Sequence, residues 1–126
     1  MPALNFSEQF ADTVASGAKR QTIRACAHCL PGDTASLRRW AGAPYRSPHV
    51  LIGEATCSEV VPVVFRDGVF GIDVVVDGEV LTQRETQRFA RDDGFQTIDE
   101  MLDFFRQHHG LPFRGDLVTW GDLMPF

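Results

Sequence analysis

Apolar and polar positions change period repeatedly along this chain, and each change marks an element. Ala3 to Phe6 reads as a short strand. Ser7 is then a natural N-cap. Phe10 and Val14, four apart, give one face to a helix that ends at Gly17, a good C′ residue. Extended structure restarts through Thr22-Ile23-Arg24, and a loop from Cys26 closes at Pro31-Gly32. Thr34 to Trp40 alternates as a strand, Ala41 to Pro48 is a Gly/Pro-containing loop, and Val50 to Val61 is a long strand, bent or bulged, that Pro62 interrupts. Asp67-Gly68 and Asp77-Gly78, flanked by β-branched runs, are hairpin signals.

Two capped helices follow. Thr82 with Glu85, and Thr97 with Glu100, have the spacing of a capping box. Ile98, Met101, Leu102 and Phe105 fall at helical spacing before a stop at Gly110, and Leu117 to Trp120 is a closing strand. About six strands split around three helices predict an α+β domain whose sheet curls into a small barrel. With 126 residues and no internal repeat or linker, the chain reads as one domain, residues 1–126.

Charge narrows the partners. The net charge is −5, which argues against a protein held on a long nucleic acid by bulk electrostatics. Lys19, Arg20, Arg24, Arg38, Arg39 and Arg46 all precede Glu54, so a local positive face on an acidic protein is expected. No leader with a basic region and apolar run is evident, and Val60 to Phe65 is too short to span a bilayer, which predicts a cytoplasmic protein without membrane partners. Three cysteines fit a reducing compartment.

Lys19 is the single lysine among twelve cationic residues. Arginine is always charged, whereas a lysine amine loses its proton when desolvated, so one retained amine marks a candidate for chemistry. The plain alternative is a solvated lysine at a helix end. The segment Gly17-Ala-Lys-Arg-Gln-Thr-Ile-Arg24 places it at the turn from helix into strand, with Thr22 and Arg24 two apart on one strand face. An amine, a hydroxyl and a guanidinium lining one mouth suit a carbonyl or phosphate, or an activated nucleophile.

Phe10, the run Ala15 to Arg24, Pro31-Gly-Asp-Thr-Ala-Ser-Leu37 and Ala90-Arg-Asp-Asp-Gly-Phe95 before a helix with Phe104-Phe105 resemble ASCH domains over nearly the whole chain. The resemblance implies a PUA-like β-barrel related to RNA-binding domains, with the Gly-x-Lys-x-x-Thr-x-Arg segment on a cleft wall. One ASCH branch implies amidohydrolases that deacetylate N4-acetylcytidine through lysine, threonine and glutamate. Lys19 and Thr22 match the first two positions. The third falls on Asp93, beside Asp92, and aspartate is shorter by one methylene. A shortfall of about an ångström costs about a hundredfold in rate. In such a site Thr22 is the nucleophile, Lys19 a neutral base or a charged oxyanion partner, and Asp93 a proton holder. The plain reading of Asp93 is a helix-end carboxylate in water.

Other features carry less. Cys26-Ala-His-Cys29 lacks the second ligand pair that structural zinc needs, so no metal and no cofactor are expected. Free loop thiols are the simpler reading. His108 and His109 suit the C-terminal end of a helix. Trp40, Tyr45 and Arg46 lie in or beside a loop where aromatics with arginine stack a base and hold its phosphate; Trp40 also reads as core. The leading functional expectation is binding of RNA, a nucleotide or a modified nucleoside near Lys19, Thr22 and Arg24. Amidohydrolase activity is the alternative, and a protein-interaction domain with a vestigial cleft is third. The sequence leaves the oligomeric state open.

Overall fold

The computed structural model describes residues 2–43 and 46–124. Its elements, in chain order, are β1 (Ala3–Phe6), α1 (Glu8–Ser16), β2 (Gln21–Arg24), β3 (Thr34–Trp40), β4 (His49–Gly68), β5 (Gly71–Val76), β6 (Glu79–Val80), α2 (Gln83–Asp92), α3 (Ile98–His108) and β7 (Phe113–Trp120). The fold is α+β: a seven-stranded sheet with three helices. β1 pairs in parallel with β3, and every other pairing is antiparallel.

β4 organises the sheet. Its first half pairs with β3, from Trp40 opposite His49 to Thr34 opposite Thr56. Its second half pairs with β7 on one edge and with β5 on the other. Register shifts at Leu37/Arg38 and at Cys57/Glu59 bend the ladder between the two halves, as an extra residue in one strand does. The strand runs through Pro62 instead of stopping there, which corrects the sequence expectation. The carbonyl of Pro62 accepts from the Asp77 N–H on the β5 side. The ring nitrogen faces that same side, just past the last β5 pair, and removes no bond to β7.

One path through the sheet runs β1-β3-β4-β7-β2, and no backbone ladder joins β2 to β1 among the described residues. The Arg24 guanidinium crosses that gap and donates to the Asn5 carbonyl at 2.8 Å. Gly115 in β7 makes room for this end of β2: a Cβ there would lie 2.4 Å from the Arg24 carbonyl oxygen. Leu4, Phe6, Leu37, Val63, Phe65, Val118 and Trp120 fill the interior, and Val14, Met101 and Phe105 cover it from α1 and α3.

The hairpins differ in how well composition located them. Asp77-Gly78 is a two-residue turn, with both residues at positive φ, joining Val76 to Glu79. The β4–β5 turn falls on Val69-Phe70, two positions after Asp67, because Gly68 pairs with Gly71 inside the ladder. Thr82 and Glu85 form both bonds of a capping box. At Thr97 only half of one forms: its hydroxyl caps Glu100, while the Glu100 carboxylate turns to the Gln96 N–H. No helix among the described residues is long and apolar enough to cross a membrane.

The end of α2 decides how the helices close over the sheet. Phe95 N–H bonds the Ala90 carbonyl and Gly94 N–H bonds that of Arg91, the two bonds of a Schellman cap. Gly94 sits at φ 98, and a Cβ there would lie 2.8 Å from the Phe10 ring. Phe95 then packs edge-on against Phe10, at 5.4 Å between centroids. Gly94→Ala is therefore expected to destabilise the protein by more than the ~1 kcal/mol that a left-handed backbone costs an L-residue, through the added clash. Urea unfolding measures it, and a loss well below 1 kcal/mol would contradict the packing described.

Candidate functional site

Lys19 owes its position to the helix before it. Gly17, at φ 83, ends α1 in the left-handed region, and the Lys19 N–H returns to the Thr13 carbonyl at 2.9 Å. The side chain then runs inward. It is 2% exposed, so it is not a solvated helix-end cation. Its stem passes over Gly94, and its Nζ lies 4.8 Å from the centre of the Phe10 ring.

The amine ends on Asp93. Nζ donates to the Asp93 backbone carbonyl and lies 3.4 Å from Oδ1. Asp93 caps α2, so its carbonyl lies among those that have no partner within the helix, where positive charge is favoured. The carboxylate is also buried, at 4% exposure, not in water. Gln21 Nε2 completes its environment by donating to Oδ1 at 3.4 Å. Asp92 faces solvent.

Thr22 belongs to a second group. Within β2, Gln21 and Thr22 alternate across the strand, and the buried Thr22 hydroxyl accepts from Arg24 Nε at 3.1 Å. Arg24 also lies over the Phe6 ring, 5.0 Å from its centre. Lys19 and Thr22 share no hydrogen bond. The two groups are linked electrostatically: the Arg24 charge is near enough to act on both Lys19 and Asp93.

Burial sets the electrostatics. Desolvation lowers the Lys19 pKa below 10.5, against the opposing pull of Asp93, and the Arg24 charge lowers it further. Desolvation raises the Asp93 pKa above 3.8, against the pull of Lys19, Gln21 and Arg24. Both groups are thus pushed toward their neutral forms, the condition in which an amine serves as a base and a carboxyl as a proton donor.

The remaining candidates lie elsewhere. Trp40, at the end of β3, is half-buried and edge-on to His49 at 5.6 Å. Arg46 is exposed in the following loop, and Tyr45 lies outside the described residues. Cys26 and Cys29 are free thiols in the loop after β2, Cys26 exposed and Cys29 buried. His109 does not bond a helix-end carbonyl through its ring; it stacks on Phe105 at 5.5 Å. Sequence reasoning missed Gln21 and Asn5. Gln21 was legible in principle, two residues from Lys19 along an extended run. Asn5 was not: its carbonyl receives Arg24, and its buried Oδ1 has no hydrogen-bond partner among the described residues.

In comparisons with known proteins, the chain matches no family model, no curated sequence and no solved structure.

A buried ion pair is costly to break from one side and cheap to replace whole. Asp93→Ala should lose on the order of 3 kcal/mol, whereas Lys19→Met with Asp93→Leu should be close to neutral. The pH profile adds a sign. As pH rises from 3.8 through the raised Asp93 pKa, the native protein holds a proton the unfolded chain has lost, so wild-type stability falls. From the lowered Lys19 pKa up to 10.5 the unfolded chain holds the extra proton, and stability recovers. Denaturant unfolding across pH should therefore show the wild type at its greatest disadvantage to the double variant between those two ranges. A constant difference would contradict the pairing.

Proposed function

We propose that this chain is an ASCH-type, PUA-like domain that takes a nucleoside-sized ligand, free or within RNA, at the Lys19, Thr22, Arg24 and Asp93 cluster. The observation that carries the reading is the buried Lys19–Asp93 pair. An amine and a carboxylate both held away from water and shifted toward neutrality are poor stabilisers, and such groups concentrate at functional sites. Asn5, whose backbone carbonyl receives Arg24, also carries a buried Oδ1 with no hydrogen-bond partner among the described residues, and it suits an N–H or O–H donor of a base or sugar. Arg24 closing the gap between β2 and β1 supports the finer reading of the sheet as a PUA-like barrel. The acidic balance favours a ligand that needs one or two local cations over a long strand that needs many.

A specific contact favours the catalytic version, removal of the acetyl group from N4-acetylcytidine. The shorter aspartate reaches the lysine all the same, because the α2 cap brings the Asp93 backbone up to Nζ. In that reaction Thr22 Oγ1 attacks the acetyl carbon, its proton passing to a neutral Lys19 amine. The protonated amine then returns the proton to the departing exocyclic nitrogen as the amide bond breaks, and water releases acetate from Thr22. Arg24 polarises the hydroxyl, and Asp93 holds Lys19 in place.

The test is incubation with N4-acetylcytidine and chromatographic detection of cytidine. Wild type should release cytidine, and Lys19→Arg, which keeps the charge but not the titratable amine, should lower the rate by about a hundredfold or more. Saturable binding without release, weakened by Lys19→Ala, would support the binding reading alone. Neither release nor binding would leave the cluster as packing and contradict both.

A further inference from the structure

Between Asp33 and Glu54 the chain runs for twenty residues without an acid, although its net charge is −5. Arg38, Arg39, Arg46 and His49 all fall in that stretch. In the fold it forms β3, the start of β4 and the loop between them, and no described residue from Arg38 to Ile52 is buried. The loop is nonetheless tied down. Ala41 N–H donates to the Pro48 carbonyl at 2.9 Å, and the Ser47 hydroxyl accepts from Gly42 N–H at 2.9 Å and donates to the Ala43 carbonyl at 2.8 Å. The two arginines of β3 project from opposite faces, so Arg38 and not Arg39 shares a face with Asn5, its partner across the β1–β3 ladder.

Arg38 is held in place without being neutralised. Its Nε donates to the Ser36 hydroxyl at 2.8 Å, and its second guanidinium nitrogen lies 3.4 Å from His49 Nδ1; neither partner carries negative charge. Trp40, opposite His49 in the β3–β4 ladder, meets that imidazole edge-on at 5.6 Å. Among the described residues no carboxylate lies within ion-pair distance of Arg38, whereas Arg20 and Arg106 each meet an aspartate. A guanidinium oriented by neutral partners keeps its full charge and its remaining N–H groups for an anion, and its planar fork suits phosphate. On the same face, Asn5 Oδ1 is buried with no hydrogen-bond partner among the described residues.

We propose that Arg38 and His49 form a phosphate subsite, so that the ligand is a nucleotide whose base or sugar donates to Asn5 and whose phosphate meets the Arg38 fork. The inference deepens the reading above and rests on it for the nucleoside part of the ligand. The two sites adjoin at β1: Arg24 of the Lys19 cluster bonds the Asn5 carbonyl, and Asn5 stands opposite Arg38. The acid-free stretch keeps repulsion from the phosphate low. Exposed acids more than about 8 Å away are largely screened at physiological salt.

The experiment measures, by titration calorimetry, the affinity of the full chain for N4-acetylcytidine, its 5′-monophosphate and a short single-stranded RNA carrying the same nucleotide. The monophosphate should bind about tenfold more tightly than the nucleoside, as a charge-assisted hydrogen bond provides. Arg38→Gln should erase that advantage and leave nucleoside affinity in place, which also shows that the variant is folded. His49→Ala, an exposed change, should reduce the same advantage if Arg38→Gln fails to fold. Arg39→Gln removes an equal charge from the other face and should leave the advantage intact. RNA that binds at least as tightly as the monophosphate, with the same dependence on Arg38, assigns the phosphate to a strand; weaker RNA binding assigns it to a free nucleotide. Lys19→Ala separates the two claims: unchanged nucleoside affinity there, with the phosphate advantage still lost in Arg38→Gln, would remove the Lys19 reading and keep the subsite. No phosphate advantage in wild type, or an equal loss in Arg39→Gln, would overturn the subsite.

Discussion

Placing one amine in the interior, beside one carboxylate, constrains more of this structure than any other contact. A buried charge without a partner is far costlier than a missing hydrogen bond, so everything near Lys19 must keep Asp93 within reach. That requirement links elements far apart in sequence. The left-handed turn at Gly17 aims Lys19 inward, the cap of α2 presents both the carbonyl and the carboxylate of Asp93, and Gly94 leaves room for the lysine stem. Phe10 covers the stem from α1 and Phe95 meets Phe10 from beyond the cap. The helices are thus seated on the sheet around a polar contact, with the aromatic packing arranged about it.

A second constraint works on the sheet. Among the described residues no ladder joins β1 to β2, and a long cation links the two strands. Arg24 holds Thr22 on its own strand and Asn5 on the other, while its aliphatic and guanidinium surface lies against Phe6. Lysine in that place would offer one point charge where the planar fork reaches two acceptors in different strands. Arg24 is therefore at once a side-chain link between β2 and β1 and a neighbour of the amine and carboxylate. Stability and candidate chemistry share the same side chain.

Much of this was legible in the chain because the local signals agree with the tertiary ones. The caps at Gly17 and Thr82, the turn at Asp77-Gly78 and the strand Thr34–Trp40 fell where turn chemistry and alternation placed them. Pro62 misled because a proline's harm depends on which edge its nitrogen faces, and that is fixed only by the partner strands. Asp67-Gly68 misled because Gly68 has a place inside the ladder, against Asp73, instead of in the turn. The lone lysine singled out the site, but its burial did not follow from sequence. A lysine after a helix-ending glycine is equally compatible with water. Only the approach of a cap more than seventy residues later removes it from solvent.

The account stands on the state of one amine, and the composition of the chain makes that amine unusually easy to observe. Because Lys19 is the single lysine, incorporation of lysine labelled with carbon-13 at Cε gives one side-chain resonance, whose position reports protonation of Nζ directly. Titrated by NMR, that resonance should show a midpoint below 10.5, and Asp93→Asn should move it lower still by removing the charge that opposes desolvation. A midpoint at or above 10.5 that ignores Asp93→Asn would mean that Lys19 is an ordinary solvated cation, and would contradict the buried pair on which the site is built.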